Sequence, residues 1–155
     1  MSTTDSIVLD GNSLTRAQLV AVARHGSSVS LAPAGLERVQ RAADFLAEKV
    51  SCGEPTYGVT TGFGSNADKL LGAHRLRDEL PGGNPHKTEG SLLEELQHNL
   101  IITHAVCVGK PFGEDVVRAM LLIRINTLMR GHSGIRVSTL EALTAMLNAG
   151  VVPVV

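Results

Sequence analysis

Apolar residues recur along most of this chain at spacings of three and four, the pattern of helices that bury one face. Before the first such stretch, the apolar run Ser6–Leu9 ends at the turn pair Asp10-Gly11 and reads as a short strand. Thr15 and Gln18 then stand at capping-box spacing, so that each side chain can take the other's backbone N–H. Leu14 and Leu19 occupy hydrophobic-staple positions, and Gly26 can end the helix with positive φ, which predicts a helix over 15–25. Pro33 opens a second helix, 34–51, with Leu36, Val39, Ala43, Leu46 and Val50 on one face and Arg38, Arg41, Glu48 and Lys49 on much of the other.

The pattern breaks at Gly53–Gly64, a glycine-interrupted loop, and is least regular over Ser65–Gly90, where Leu80-Pro-Gly-Gly-Asn-Pro-His-Lys-Thr-Glu-Gly disfavours helix and strand alike. From Ser91 the helical stripe resumes through Leu92, Leu93, Leu96, Leu100 and His104 to Val108. Gly113 caps a further helix to Met129, with Glu114 and Asp115 in its first turn, where the helix dipole favours acids. That helix is apolar around most of its circumference and is expected to be buried on all sides. Arg130-Gly-His-Ser-Gly forms a break, Ser138 and Glu141 form a second capping box, and a last helix ends near Asn148 before Gly150 and Pro153. Val151–Val155 is extended, apolar and uncapped, as expected of a chain with more polypeptide to cover it.

Composition narrows the picture without naming a chemistry. Of the 155 residues, 43% are hydrophobic but only 3% aromatic, so Leu, Val, Ile and Ala supply the core and a mainly α fold with a few short strands is expected. A formal charge of -1, with no Lys/Arg cluster, argues against a nucleic-acid surface. Cys52 and Cys107 make neither a CxxC pair nor a disulfide framework and read as free thiols. No signal peptide and no apolar run long enough for a membrane span is visible, so the expected location is the cytoplasm.

The segment most suggestive of chemistry is Tyr57-Gly-Val-Thr-Thr-Gly-Phe-Gly, where glycines surround the chain's single tyrosine. Taken alone, a tight turn with a packing tyrosine is the plainer reading. Acting as a proton shuttle at neutral pH would require stabilisation of the phenolate, because a free phenol titrates at about 10. His104, on the stripe of Leu93, Leu96 and Leu100, is either a packed histidine or the lining of an apolar pocket that supplies one specifying hydrogen bond. His98 and His104 are six apart, which puts them on different helix faces, and no HxxxH or HExxH pattern occurs. Arg124, Asn126 and Arg136, among the apolar C-terminal helices, read as polar tethers between helices.

These pieces join in one resemblance. Tyr57–Gly64 (YGVTTGFG), Leu96–Gly109 (LQHNLIITHAVCVG), Arg118–Arg136 (RAMLLIRINTLMRGHSGIR) and Leu147–Val155 (LNAGVVPVV) resemble, in this order, the histidine, phenylalanine and tyrosine ammonia-lyase and aminomutase family. The likeness runs from about Ser6 to Val155. It implies that residues 1–155 are the N-terminal, tyrosine-loop segment of a longer helical enzyme assembled as a homotetramer. It also implies an electrophile, 4-methylidene-imidazol-5-one (MIO), formed from an Ala-Ser-Gly expected just beyond Val155. No Ala-Ser-Gly occurs in these residues, so the segment alone is expected to be inactive.

By the same resemblance, Tyr57 is the base that removes a β-proton as ammonia leaves an aromatic amino acid to give an arylacrylate. Gly64 is the loop glycine beside the electrophile, and Thr103 and His104 are the pair that sorts substrates. A Thr-His pair stands nearest the Ser-His pairs of histidine lyases and some tyrosine aminomutases, which places histidine first and tyrosine second, ahead of phenylalanine. Two other readings stay open: an aminomutase that returns the ammonia to the β-carbon, and a non-catalytic helical binding module. The long stretch between Gly64 and Leu96 departs from the family pattern.

Overall fold

A computed structural model describes residues 6–62 and 98–155. They fall into two compact units. One comprises the chain up to Ala47 together with Gly109–Val155, and the other is Glu48–Val108. The proposed sequence pattern of Ser65–Gly90, the glycine Gly64 and the start of the helix at Ser91 lie outside the described residues.

In the first unit, strand β1 (Ile7–Leu9) is followed by helix α1 (Arg16–His25), strand β2 (Val29–Leu31) and helix α2, which begins here and runs over Pro33–Ser51. Helices α3 (Glu114–Leu128) and α4 (Val137–Asn148) complete it. The fold is mainly α, as the composition implied. β1 and β2 pair in parallel, Ile7 with Val29 and Leu9 with Leu31, which requires the crossover that α1 supplies. The second strand was not anticipated, because Val29-Ser-Leu is too short for its alternation to register as a pattern.

So small a sheet needs support from side chains. Leu9 and Val29 are buried in the core with Val22, Val39, Leu122, Ile125, Met129, Leu140 and Leu147. Val29 turns its peptide groups away from β1, whose ladder uses the Ser28 carbonyl instead. The Asn148 side chain meets them: its Oδ1 accepts from the Val29 N–H at 2.9 Å and its Nδ2 donates to the Val29 carbonyl at 2.9 Å. An amide from the end of α4 thus stands where a third strand would pair.

Helix α1 has the expected ends. Thr15 and Gln18 form both bonds of the capping box, and Gly26 closes the helix in the left-handed region at φ 70°. The Gly26 and Ser27 N–H groups both turn back to the Ala21 carbonyl, which bypasses the Val22 carbonyl. Arg118 on α3 reaches that oxygen: its Nε and Nη2 donate to Val22 O at 3.3 and 3.0 Å, and its Nη1 donates to Leu147 O, in the last turn of α4, at 3.2 Å. Arg118 is 8% exposed and, among the described residues, has no carboxylate partner. The negative ends of two helix dipoles face its charge instead.

The Asp10-Gly11 turn is held by comparable long-range bonds. Arg38 Nη2 donates to Asp10 O at 2.6 Å, and the Gly11 N–H donates to Asn126 Oδ1 at 3.0 Å. Asn126 is therefore the tether expected of it, while Arg124 and Arg136 are exposed and no side-chain tether is recorded for either. Close backbone approach explains Gly131. Its φ is 73°, and a Cβ there would lie 2.7 Å from the Arg38 carbonyl carbon and oxygen.

Three expectations need correction. Helix α3 is not buried on all sides, since Val116, Met120 and Ile123 are 43%, 46% and 49% exposed along one face. Only α1 and α4 pack closely on it, and they cover the face carrying Val117, Leu122 and Ile125. Ser138 and Glu141 do not cap α4. That helix starts at Val137 behind Arg136 with no side-chain cap bond, because packing of Ile135 and Val137 on the core sets its start. The helix expected to reach Val108 stops at residue 104, ahead of Gly109 at φ 117° and Pro111. Among the described residues no helix is long and apolar enough to cross a membrane.

Two predictions follow from these tethers. Replacing Arg118 by Met leaves the Val22 carbonyl without its donor and should lower unfolding stability by about 2–4 kcal/mol in denaturant titration, with Arg118→Lys recovering only part of the loss. An Arg118→Met protein as stable as the parent would show that the guanidinium bonds contribute nothing net. At Asp10, the Ser13 and Asn12 N–H groups donating to the carboxylate hold its pKa below the ordinary 3.8. The depressed value stabilises the fold above pH 3.8, and that contribution disappears as pH falls through the folded-state pKa. The stability difference between parent and Asp10→Asn should therefore be constant at neutral pH and shrink in acid; a difference independent of pH would refute it.

Candidate functional site

The residues singled out in the sequence lie in the second unit, where described. Lys49 in the last turn of α2 and Glu54 beyond it form an ion pair at 2.7 Å, and the chain then makes a tight turn over 57–60. The Thr56 carbonyl is the centre of that turn. It accepts from the N–H groups of Val59, Thr60 and Thr61 at 3.0, 3.0 and 3.3 Å. Gly58, at φ 70°, supplies the left-handed residue the turn requires.

Threonine hydroxyls take the N–H groups of the residues on both sides of Tyr57. The Thr56 N–H donates to Thr60 Oγ1 at 2.7 Å, and that hydroxyl donates onward to the Glu54 carbonyl at 2.8 Å. On the other side, the Gly58 N–H donates to Thr61 Oγ1 at 3.3 Å, and the Thr61 hydroxyl donates to the Gly62 carbonyl at 3.1 Å. Thr61 is buried at 2% exposure, whereas Tyr57 is 64% exposed. The loop therefore has fixed peptides beneath an exposed phenol. Glycines alone would leave this segment free to move; the threonines of YGVTT counter that freedom as hydrogen-bonding groups.

Thr103 and His104 sit in the last turn of the helical segment 98–104. The Thr103 hydroxyl donates back to the Asn99 carbonyl at 2.7 Å, with the Leu100 carbonyl at 3.1 Å. His104 Nδ1 lies 2.9 Å from the Leu100 carbonyl. A carbonyl only accepts, so this bond requires the proton on Nδ1 and leaves Nε2 as the acceptor of a neutral ring. With the ring in that neutral form, the two side chains together offer acceptors rather than donors. His104 is exposed, contrary to the expectation that it points into packing, and Leu100 beside it is half-buried. The other stripe members, Leu92, Leu93 and Leu96, lie outside the described residues, as does Gly64. Tyr57 and the Thr103-His104 pair belong to the same compact unit.

No group of three or more His, Cys, Asp or Glu among the described residues could hold a metal ion. Cys52 and Cys107 are both exposed free thiols. The first unit has a separate open groove of about 550 Å³, where the C-terminal ends of α1 and α4 meet the start of α3, lined by Arg24, Glu114, Asp115, Arg118 and Gly150 among others. Arg118 is committed there to helix carbonyls, and the Arg24–Asp115 pair at 3.1 Å is exposed, so the groove presents no unsatisfied buried group to a ligand.

The aromatic amino acid lyase family model matches residues 14–155. The chain belongs to that family. It is 46% identical over 152 residues to the histidine ammonia-lyase of Gloeobacter violaceus, a match that covers 98% of this chain and 26% of that protein. Among solved structures it resembles ergothionase, an ergothioneine-degrading enzyme of Treponema denticola, with a TM-score of 0.80 at 27% identity over 97% of this chain and 27% of that one. It also resembles the tyrosine aminomutase of Streptomyces globisporus, with a TM-score of 0.75 at 30% identity over 94% and 24% of the two chains. The chain thus spans about a quarter of the length of the relatives it matches.

Proposed function

We propose that this chain is the tyrosine-loop segment of an ammonia-lyase that eliminates ammonia from an aromatic amino acid, with Tyr57 as the base. The observation that carries this reading is an exposed tyrosine set on a turn whose flanking peptides are both fixed by hydrogen bonds, in a chain of the aromatic amino acid lyase family. Preorganised presentation of one titratable group is what proton abstraction requires. In the elimination, Tyr57 oxygen takes the β-proton, the C–H electron pair becomes the Cα–Cβ double bond, and the C–N bond breaks to release ammonia.

The 155 residues contain no Ala-Ser-Gly, so they do not supply MIO. In the complete protein that group would supply the electrophile for the substrate amine. Closure over Tyr57 by other parts of the protein excludes water. A homotetramer is the assembly we assign to the complete enzyme, and the exposed stripe Val116, Met120 and Ile123 on α3 is apolar surface suited to such burial.

Histidine is the first-choice substrate and tyrosine the second. Thr103 and His104 donate their protons into their own helix and so face a ligand as acceptors. An imidazole N–H or a phenol O–H can donate to them, and a phenyl ring cannot. The likeness to a tyrosine aminomutase keeps a second reading, in which ammonia re-adds at the β-carbon. Product analysis separates the two, since only the mutase yields a β-amino acid.

In the full-length enzyme, Tyr57→Phe should lower turnover of histidine, followed by ultraviolet absorbance of the arylacrylate, by roughly 10²–10⁴-fold with the fold intact. Turnover within a few-fold of the parent would remove Tyr57 from the base role. Replacing Thr103-His104 by Phe-Leu should shift the ratio of kcat/KM values toward phenylalanine. An unchanged ratio would place selectivity elsewhere in the protein.

A further inference from the structure

From the bonds around the tyrosine turn we infer that Thr60 and Thr61 are positioning residues that set where Tyr57 stands; the inference rests on the base role proposed above. The residues before and after Tyr57 each have their N–H taken by a different hydroxyl. Thr60 Oγ1 takes the Thr56 N–H at 2.7 Å, and Thr61 Oγ1 takes the Gly58 N–H at 3.3 Å. Both hydroxyls also donate, to the Glu54 and Gly62 carbonyls at 2.8 and 3.1 Å, so each ties the turn to backbone outside it. A threonine hydroxyl has one proton and two lone pairs, and both threonines use donor and acceptor capacity here.

The backbone of the segment by itself holds the Thr56–Tyr57 peptide, through the Thr56 carbonyl, and the hydroxyls add the N–H groups of Thr56 and Gly58. Gly58 sits at φ 70°, a region glycine enters without strain but also leaves easily. The carbonyl of Thr56 collects three N–H bonds, which close the turn but do not engage the N–H groups flanking the tyrosine. With the hydroxyls gone, the Thr56 and Gly58 N–H groups lose these acceptors, and Tyr57 can shift about the remaining Thr56 carbonyl bonds. Base catalysis is sensitive to displacements of about 1 Å, which can lower the rate by roughly 10²-fold. Thr61 is the more deeply set of the two, at 2% exposure, and its bonds are shielded from competing water.

Valine keeps the shape of threonine and removes the hydroxyl, whereas serine keeps the hydroxyl and removes the methyl. In the full-length enzyme, Thr60→Val and Thr61→Val should each lower kcat by roughly 10- to 100-fold while KM changes only a few-fold. The kinetic isotope effect on kcat from β-deuterated substrate should rise, because proton abstraction becomes more fully rate-limiting. Thr60→Ser and Thr61→Ser should return kcat to within a few-fold of the parent. Valine variants with parental kcat, or serine variants as slow as the valine ones, overturn the inference.

Tyr57→Phe run in parallel separates the two failures. If it abolishes turnover while the valine variants remain fast, positioning fails and the base role stands. Were Tyr57→Phe to remain fast, the base role fails and positioning falls with it. Amide hydrogen exchange of the unmodified protein covers the case of valine variants that do not fold. The Thr56 and Gly58 amides should exchange well below the unstructured-peptide rate, and exchange at that rate refutes the hydroxyl bonds directly.

Discussion

A single buried guanidinium, that of Arg118, is the constraint on which the first unit depends. It is placed where the C-terminal ends of α1 and α4 come together, and it satisfies carbonyls of both. A buried cation ordinarily demands a carboxylate, and the desolvation of two charges can outweigh their attraction. Facing it with helix ends avoids burying a second full charge. The same contact removes an unsatisfied carbonyl that the Gly26 cap creates at Val22. The cap, the arginine and the crossing of α3 over α1 therefore form one arrangement, and none of the three is complete without the others.

The rest of the unit repeats this logic with amides. Strands as short as β1 and β2 cannot hold a sheet through their own ladder, and Asn148 finishes it from the end of α4. Arg38 and Asn126 do the same for the turn after β1. Each tether joins an apolar element to a backbone group that hydrophobic burial alone would leave unpaired. The core of Leu, Val and Ile supplies driving force without direction, and these polar side chains fix which backbone meets which.

That division explains what could be read before the fold was in view. Elements with a local cause were legible: the Thr15–Gln18 box, the Gly26 stop, Pro33 at the first turn of α2 and the acids at the start of α3 all act within a few residues. Errors arose where distant packing competes with local chemistry. Ser138 and Glu141 had capping spacing, yet burial of neighbouring apolar residues started α4 earlier. Nothing local marks Val29-Ser-Leu as a strand, because its partner and its edge cover lie far along the chain. The apolar circumference of α3 was read correctly as composition and wrongly as burial, since this chain covers only part of it.

The candidate site shows the same contrast in another form. Tyr57 could be picked out as the chain's single tyrosine among glycines, and the family resemblance gave it a role, but glycines say nothing of what restrains the turn. In the folded turn one glycine permits the conformation and the threonines hold it. Permission and restraint come from different residues, which lets a short loop be tightly bent and still present one exposed side chain. Thr103 and His104 follow a related rule: bonding their protons into their own helix leaves a surface that accepts and does not donate. In both places the specificity of the site is set by hydrogen bonds to backbone a few residues away. The ligand-facing groups are those the local backbone has left over.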